Sequence, residues 1–457
     1  ENDDVFIHWY LPSMRPTDPW YYHSEPDPIE DAPRLLVHRA RMEVEQYTEV
    51  GFVPQDIFKK FSQQRGQYHI DAVLTERPAS VWYLRKLLKH SFSKDSADGK
   101  KHTGKTPEIV TFVRDPFVKS TEIHGINRDE ELAQTMGYLL SYNIFFSEYD
   151  FDLATKVAKK YLNFAQVKRL RDRSIVISAG TDTEELDTYK QNAVPRDKLT
   201  ILIAERLKSG TLMNILEASD YIFKRGADIG VVVSSQAAFN PATLKNYPTL
   251  FEHAEKYSAN PREKYLELAS QCHVTMTMPS THSYPQGLME RLYLGNVGIL
   301  PDYPWVDSVL PNYPFKVPSR NVPQIIAMTQ WVLENYEEAQ KRVAWVPKYI
   351  KENYDSRVCT QQMLDFMKEK VEYEKSKTSP LGGYLDVVNS IPYEEIEESA
   401  LLAYMHKNTD NKVKFNVPGV NLAFQNNKAA LFLAMESAGW QDTCDGPFAK
   451  FIRHRGD

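Results

Sequence analysis

Cysteine is nearly absent from the chain: Cys272, Cys359 and Cys444 are the three in 457 residues. An odd, sparse set excludes a disulfide framework and fits a reducing, cytoplasmic compartment. None has a metal-ligand neighbour at a useful spacing, so no metal site is expected from them. Long apolar runs are also missing. No stretch approaches the roughly 18 apolar residues that a membrane span needs. The start, residues 1–5, is acidic and lacks a basic n-region. No signal peptide is expected there, and the absent initiator Met suggests a trimmed start. Neither repeats nor low-complexity segments occur. Positive charge is not in excess: the net charge of -6 excludes a chain that is basic throughout, though not a local basic patch.

What is present is ordinary for a globular protein: 42% hydrophobic and 25% charged residues. The length exceeds one ordinary core, so two domains and an appendage are expected. Short apolar or β-branched runs at 5–9, 69–74, 108–113, 143–147 and 174–178 read as buried parallel strands. Helical stretches such as 79–90 and 152–162 separate them. The polar, Pro-containing segment 190–198 reads as a linker. Beyond it, strands at 199–204, 228–234, 273–278 and 297–300 alternate with helices at 211–224, 261–271 and 287–294. A long helical region, 322–374, closes this block, and 375–383 reads as a second linker. The expected architecture is α/β with two Rossmann-like domains, residues 1–193 and 194–374, and a small, mostly helical extension, 375–457.

Three motifs point elsewhere than they first suggest. Residues 99–106, GKKHTGKT, match a phosphate-binding loop, but that loop needs a strand before it and a helix after it. Here a helix and polar chain precede it, and Pro107 and a strand follow, so a surface loop is expected. Asp150 and Asp152 form an Asp-x-Asp pair, yet acidic residues in a first helical turn are expected from the helix dipole alone. The terminal Arg455-Gly456-Asp457 is read as chance.

Residues 265–302 carry the most chemistry. A strand ends at Pro279-Ser280, a polar loop follows, and a helix starts near Gly287 and Leu288. It carries Glu290 and breaks at Gly295. A loop after a parallel strand opens at the sheet's carboxyl edge, where α/β proteins bind ligands, and a helix N-terminus can meet phosphate there. Glu290, placed in the first turn, is either an acceptor for both ribose hydroxyls or a dipole-matched surface residue.

This stretch resembles the large retaining glycosyltransferase family with the GT-B fold, in which two Rossmann-like domains face each other across a cleft. Pro279-Ser280, Glu290 and Gly295 match its donor motif. The family's first Glu does not: with seven residues between it and Glu290 stands His282, beside Ser283. Residues 199–218 are similar to the family's strand, Arg and Lys loop, and helix, which makes Arg206 and Lys208 the diphosphate clamp. Residues 174–187 resemble the strand and Gly-x-Asp segment closing the first domain. Residues 109–116 resemble a strand ending in a His-Asp pair, with Arg114 at the His and Asp115 following. The resemblance covers roughly 109–370, with a looser likeness at the first strand.

It implies a glycosyltransferase with a nucleotide-sugar donor, UDP-linked by expectation, and a metal-independent site with no cofactor. Arg206, Lys208, Arg114, Asp115 and His282 would be catalytic. Glu290, Gly287, Ser283 and Leu288 would bind the donor. Arg206 offers a planar fork and Lys208 a point charge to the departing diphosphate. The first domain would hold the acceptor. Its segment 85–105 carries Arg85, Lys86, Lys89, Lys94, Lys100, Lys101 and Lys105 against Asp95 and Asp98. Such a segment docks on an anionic membrane surface, follows a nucleic-acid backbone, or is a solvated basic loop. The acceptor therefore stays open between a lipid- or polysaccharide-linked glycan and a hydroxymethylated DNA base. A catalytically inactive sugar-nucleotide-binding or scaffold protein is the reading from another class.

Overall fold

The computed structural model describes residues 7–13, 35–45, 49–52, 71–75, 78, 81, 108–113, 116, 128–204, 210–234, 236–239, 241–257, 261–279 and 284–376. They form three sheets. The first joins β1 (Ile7–Ser13) to β2 (Leu35–Glu45) in parallel, and β2 to β3 (Glu49–Phe52) antiparallel. The sequence reading counts the first of these strands within the first α/β sheet. Instead it begins two residues later than expected and pairs with β2, outside that sheet. The missed signal lies in β2 itself: Arg39 to Glu45 alternate charged and apolar residues, the period of a strand covered on one face.

The second sheet is parallel and runs in chain order: β4 (Ala72–Thr75), β5 (Glu108–Val113), β6 (Tyr142–Phe145) and β7 (Ser174–Val176). Burial on both faces explains its apolar strands, since Ile109, Val110 and Val113 of β5 and all of β6 are buried.

The third sheet is parallel and six-stranded. Its strands are β8 (Thr200–Ile203), β9 (Gly230–Ser234), β10 (Glu255–Tyr257), β11 (Val274–Met276), β12 (Val297–Pro301) and β13 (Lys316–Val317), in the order β10-β9-β8-β11-β12-β13. β8, with Ile201, Leu202 and Ile203 fully buried, lies inside the core. The edge strands β10 and β13 have no counterpart in the sequence reading. β10 is Glu-Lys-Tyr, exposed or half-buried, and β13 has two residues. Neither offers an apolar pattern to find.

The expected helical region 322–374 is four helices, Val322–Glu334, Tyr336–Val343, Val346–Tyr354 and Ser356–Ser376. The last one leaves the third sheet and packs on the second. Its Cys359 and Phe366 share a buried cluster with Val110, Tyr142, Ile144 and Ile177. The chain thus crosses between these sheets twice. The crossings lie side by side: the Thr181 N–H donates to the Tyr354 carbonyl (2.7 Å), and the Ser356 N–H to the Thr181 carbonyl (2.9 Å). Thr183 adds a hydroxyl bond to Asp355.

A candidate donor site at the carboxyl edge of the third sheet

In the third sheet, β8 connects onward to β9 on one side, while its other neighbour, β11, leads on to β12 in the opposite direction. The order reverses between β8 and β11. Connections leaving two such strands go to opposite sides and open a crevice between them, the usual ligand position in an open parallel sheet. Arg206 and Lys208 follow β8 in the chain, and His282 and Ser283 follow β11. All four lie outside the described residues, as do Arg114 and Asp115 after β5. So do the basic segment 85–105, the motif at 99–106, Arg455-Gly456-Asp457 and all but the first two residues of the extension 375–457.

The helix after β11, Gln286–Tyr293, is described completely. Leu288, Met289 and Leu292 fix its buried face. Gly295 ends it at a φ of 101°. The Asn296 N–H reaches the Arg291 carbonyl (3.1 Å) and the Gly295 N–H the Leu292 carbonyl (3.1 Å). This is a Schellman stop, which a glycine makes without a Cβ clash. The N-terminus is largely occupied by its own chain. The Gln286 N–H donates to the Tyr284 carbonyl, and those of Leu288 and Met289 to that of Pro285. Leu288 buries its side chain in the core, so both its side chain and its amide are already engaged. Gly287 is half-buried. Its carbonyl accepts from the Tyr265 hydroxyl (2.7 Å) and from Arg291 Nε (2.9 Å), and a Cβ here would stand 3.2 Å from that hydroxyl.

Because the helix begins at Gln286, Glu290 falls in its second turn, not the first. Nor is it a surface residue: its side chain is 3% exposed. Arg262 Nη1 donates to Glu290 Oε1 at 2.8 Å, and Nε and Nη2 of the same guanidinium hold Glu185, the closest contact being 2.6 Å. Burial pushes the Glu290 carboxyl above its usual range, and Arg262 pulls it back. Arg262 opens the helix Arg262–Gln271, and Glu185 stands in the first turn of Thr183–Asn192. Arg291 is buried beside Glu290 and donates from Nη1 to the Thr275 hydroxyl on β11 (2.8 Å).

No protein-family model matches the chain, and no curated protein is similar to it in sequence. Solved structures are similar in fold. Sucrose-phosphate synthase from Thermosynechococcus elongatus superposes with a TM-score of 0.60 at 12% identity, over 80% of this chain and 89% of that one. A glycosyltransferase from Rickettsia africae gives 0.52 at 12% identity, over 73% and 85%. Anabaena HepE, solved with UDP-glucose, gives 0.50 at 8%, over 73% and 86%. The fold is GT-B.

In this GT-B chain the sequence candidates fall into two groups. Glu290, Gly287 and Leu288 are on the helix after β11. The others follow strands in the chain and lie outside the described residues. Sequence reasoning missed Arg262 and Glu185. The available signal was a cation at the start of a helix, where the dipole disfavours it unless carboxylates offset it. It also missed Tyr284, whose buried hydroxyl shares a 2.6 Å hydrogen bond with that of Thr181 on the first crossing. Asp150 and Asp152 sit on the helix Glu148–Ala158, capped by Ser147 Oγ, with Asp150 buried and Asp152 exposed. Among the described residues no group of three His, Cys, Asp or Glu is placed to hold a metal ion. No described helix is long and apolar enough to cross a membrane. Cys272 and Cys359 are buried free thiols, and burial pushes Cys272 up to about 12 and Cys359 to about 11.

Proposed function

We propose that the chain is a glycosyltransferase that binds a nucleotide sugar, UDP-linked, in the crevice between β8 and β11. The observation that carries this is the reversal of strand order there, with the Arg206 and Lys208 segment following one strand and the Glu290 helix following the other. The GT-B fold and a neighbour solved with UDP-glucose support the donor class. Glu290 accepts the ribose hydroxyls. Arg206 and Lys208 neutralise the diphosphate, whose charge grows as the sugar leaves; fixed cations stabilise such charge most where water is excluded. Retention of configuration and metal independence follow from the family resemblance. Arg114, Asp115 and His282 would face the sugar. The acceptor is a hydroxyl of a lipid- or polysaccharide-linked glycan or of a hydroxymethylated DNA base, met by the segment 85–105.

His282 at the position of the family's first Glu favours a second reading, an inactive sugar-nucleotide-binding protein. Thermal shift with a panel of nucleotide sugars, followed by donor hydrolysis without acceptor, separates the two. A shift with one donor and measurable hydrolysis is expected. Hydrolysis rejects the inactive protein, and no shift with any donor rejects both. Arg206→Ala should lower turnover more than donor affinity, at a cost of about 2–4 kcal/mol in the transition state. Retained turnover in that variant would show that the diphosphate sits elsewhere.

A further inference from the structure

We propose that Arg262 is a positioning residue for donor binding, holding one oxygen of the Glu290 carboxylate so that the other is presented to the ribose hydroxyls. The inference rests on the donor reading of Glu290.

A cation at the first position of a helix opposes the helix dipole, so Arg262 needs partners there. It has two, from different elements. The Nε and Nη2 edge of the guanidinium faces Glu185, and Nη1 reaches Glu290. A planar fork can serve two carboxylates along separate edges; a lysine ammonium cannot hold both in one geometry. Glu290 Oε1 is thereby occupied, and among the described residues Oε2 accepts no hydrogen bond.

The surrounding charges make this contact decisive for the state of Glu290. Those bearing on it are Arg262, Glu185 and Arg291. Arg291 is committed to the Gly287 carbonyl and Thr275 hydroxyl. The helix Val346–Tyr354 also packs on the Glu290 helix, but its Lys351 binds Asp187 and its Lys348 faces Glu352. Without Arg262, Glu290 would be a buried carboxyl beside the negative Glu185, and burial with a like charge favours the protonated form. A protonated carboxyl keeps less acceptor capacity for a ribose diol. Arg262 itself is 41% exposed, so its replacement opens no large cavity.

The test is UDP-glucose affinity of the parent, Arg262→Met, Arg262→Lys and the double variant Arg262→Met/Glu290→Gln, from about pH 6 to about pH 9. In Arg262→Met, affinity should fall about tenfold at the acid end, about 1.4 kcal/mol, and recover as rising pH ionises Glu290. Arg262→Lys should keep the carboxylate charged but loosely held, giving weaker binding with little pH dependence. The double variant should lose the pH dependence altogether. A loss equal at every pH in Arg262→Met, or no loss, overturns the proposal while leaving the donor reading intact. If Arg262→Met does not fold, parent-like affinity in Arg262→Lys overturns it. A parent that binds no nucleotide sugar removes the donor reading, and this inference with it.

Discussion

Glu290 combines two demands that conflict. Its side chain is 3% exposed, yet a role as hydroxyl acceptor needs it ionised. Burial raises its affinity for protons in the folded chain above that in the unfolded chain, with Arg262 offsetting part of the effect. Between the ordinary carboxylate value, about 4.3, and the raised folded value, the folded chain binds more protons than the unfolded one. Glu290 therefore favours folding below this window, and that contribution is lost as pH rises through it. Glu290→Gln has no proton to bind, so the variant should gain stability relative to the parent as pH rises through the window. Urea unfolding of both proteins at the acid end of the window and at neutral pH measures it. A stability difference independent of pH would mean that Glu290 titrates alike in both states.

At the scale of elements, close approach sets the constraints that composition hides. Gly137 lies in the helix Arg128–Leu140, where alanine would ordinarily gain about 1 kcal/mol in helix propensity. A Cβ there would stand 1.8 Å from the Pro78 carbonyl oxygen and 2.4 Å from its carbon. Both are backbone atoms, so the helix must move, and overpacking of this kind costs about 1–3 kcal/mol or more. Gly137→Ala should therefore destabilise, with a lower urea midpoint. A higher midpoint would show that the helix and Pro78 part easily. β8 was legible because a strand buried on both faces is a near-continuous apolar run, and β11 through its β-branched and apolar residues. The stop of the Glu290 helix was legible because Gly295 is the residue a left-handed turn requires. That Glu290 lies on the helix after β11 was legible from its place after a strand; its burial in the second turn was not. The ion pair with Arg262 was not: it joins residues 28 apart on separate helices, and the rotation of each helix is set by packing, not by its own sequence. The breaks within 322–374 were missed. The joints lie at Asn335, Trp345 and Asp355, and Pro347, in the first turn of Val346–Tyr354, is the one residue that signals a break in the sequence.

At the scale of the whole molecule, the double crossing between the second and third sheets joins the two halves. Thr181 contributes three bonds: backbone links to Tyr354 and Ser356, and a hydroxyl link to Tyr284, which directly precedes Pro285 and the candidate donor helix. Gly180 makes this approach possible. Its φ is 85°, and a Cβ would lie 2.6 Å from the Ser356 Cα. Gly226 has a similar φ, 79°, with nothing within 4 Å of a Cβ, and serves as an internal control. Gly226→Ala should lose only the cost of left-handed backbone, about 1–2 kcal/mol. Gly180→Ala carries that cost and must also push the crossings apart, adding about 1–3 kcal/mol. Urea unfolding of the two variants reads the difference directly, since the backbone penalty cancels. A larger loss in Gly180→Ala assigns the excess to the paired crossings. If the two variants lose the same amount, the crossings separate without cost.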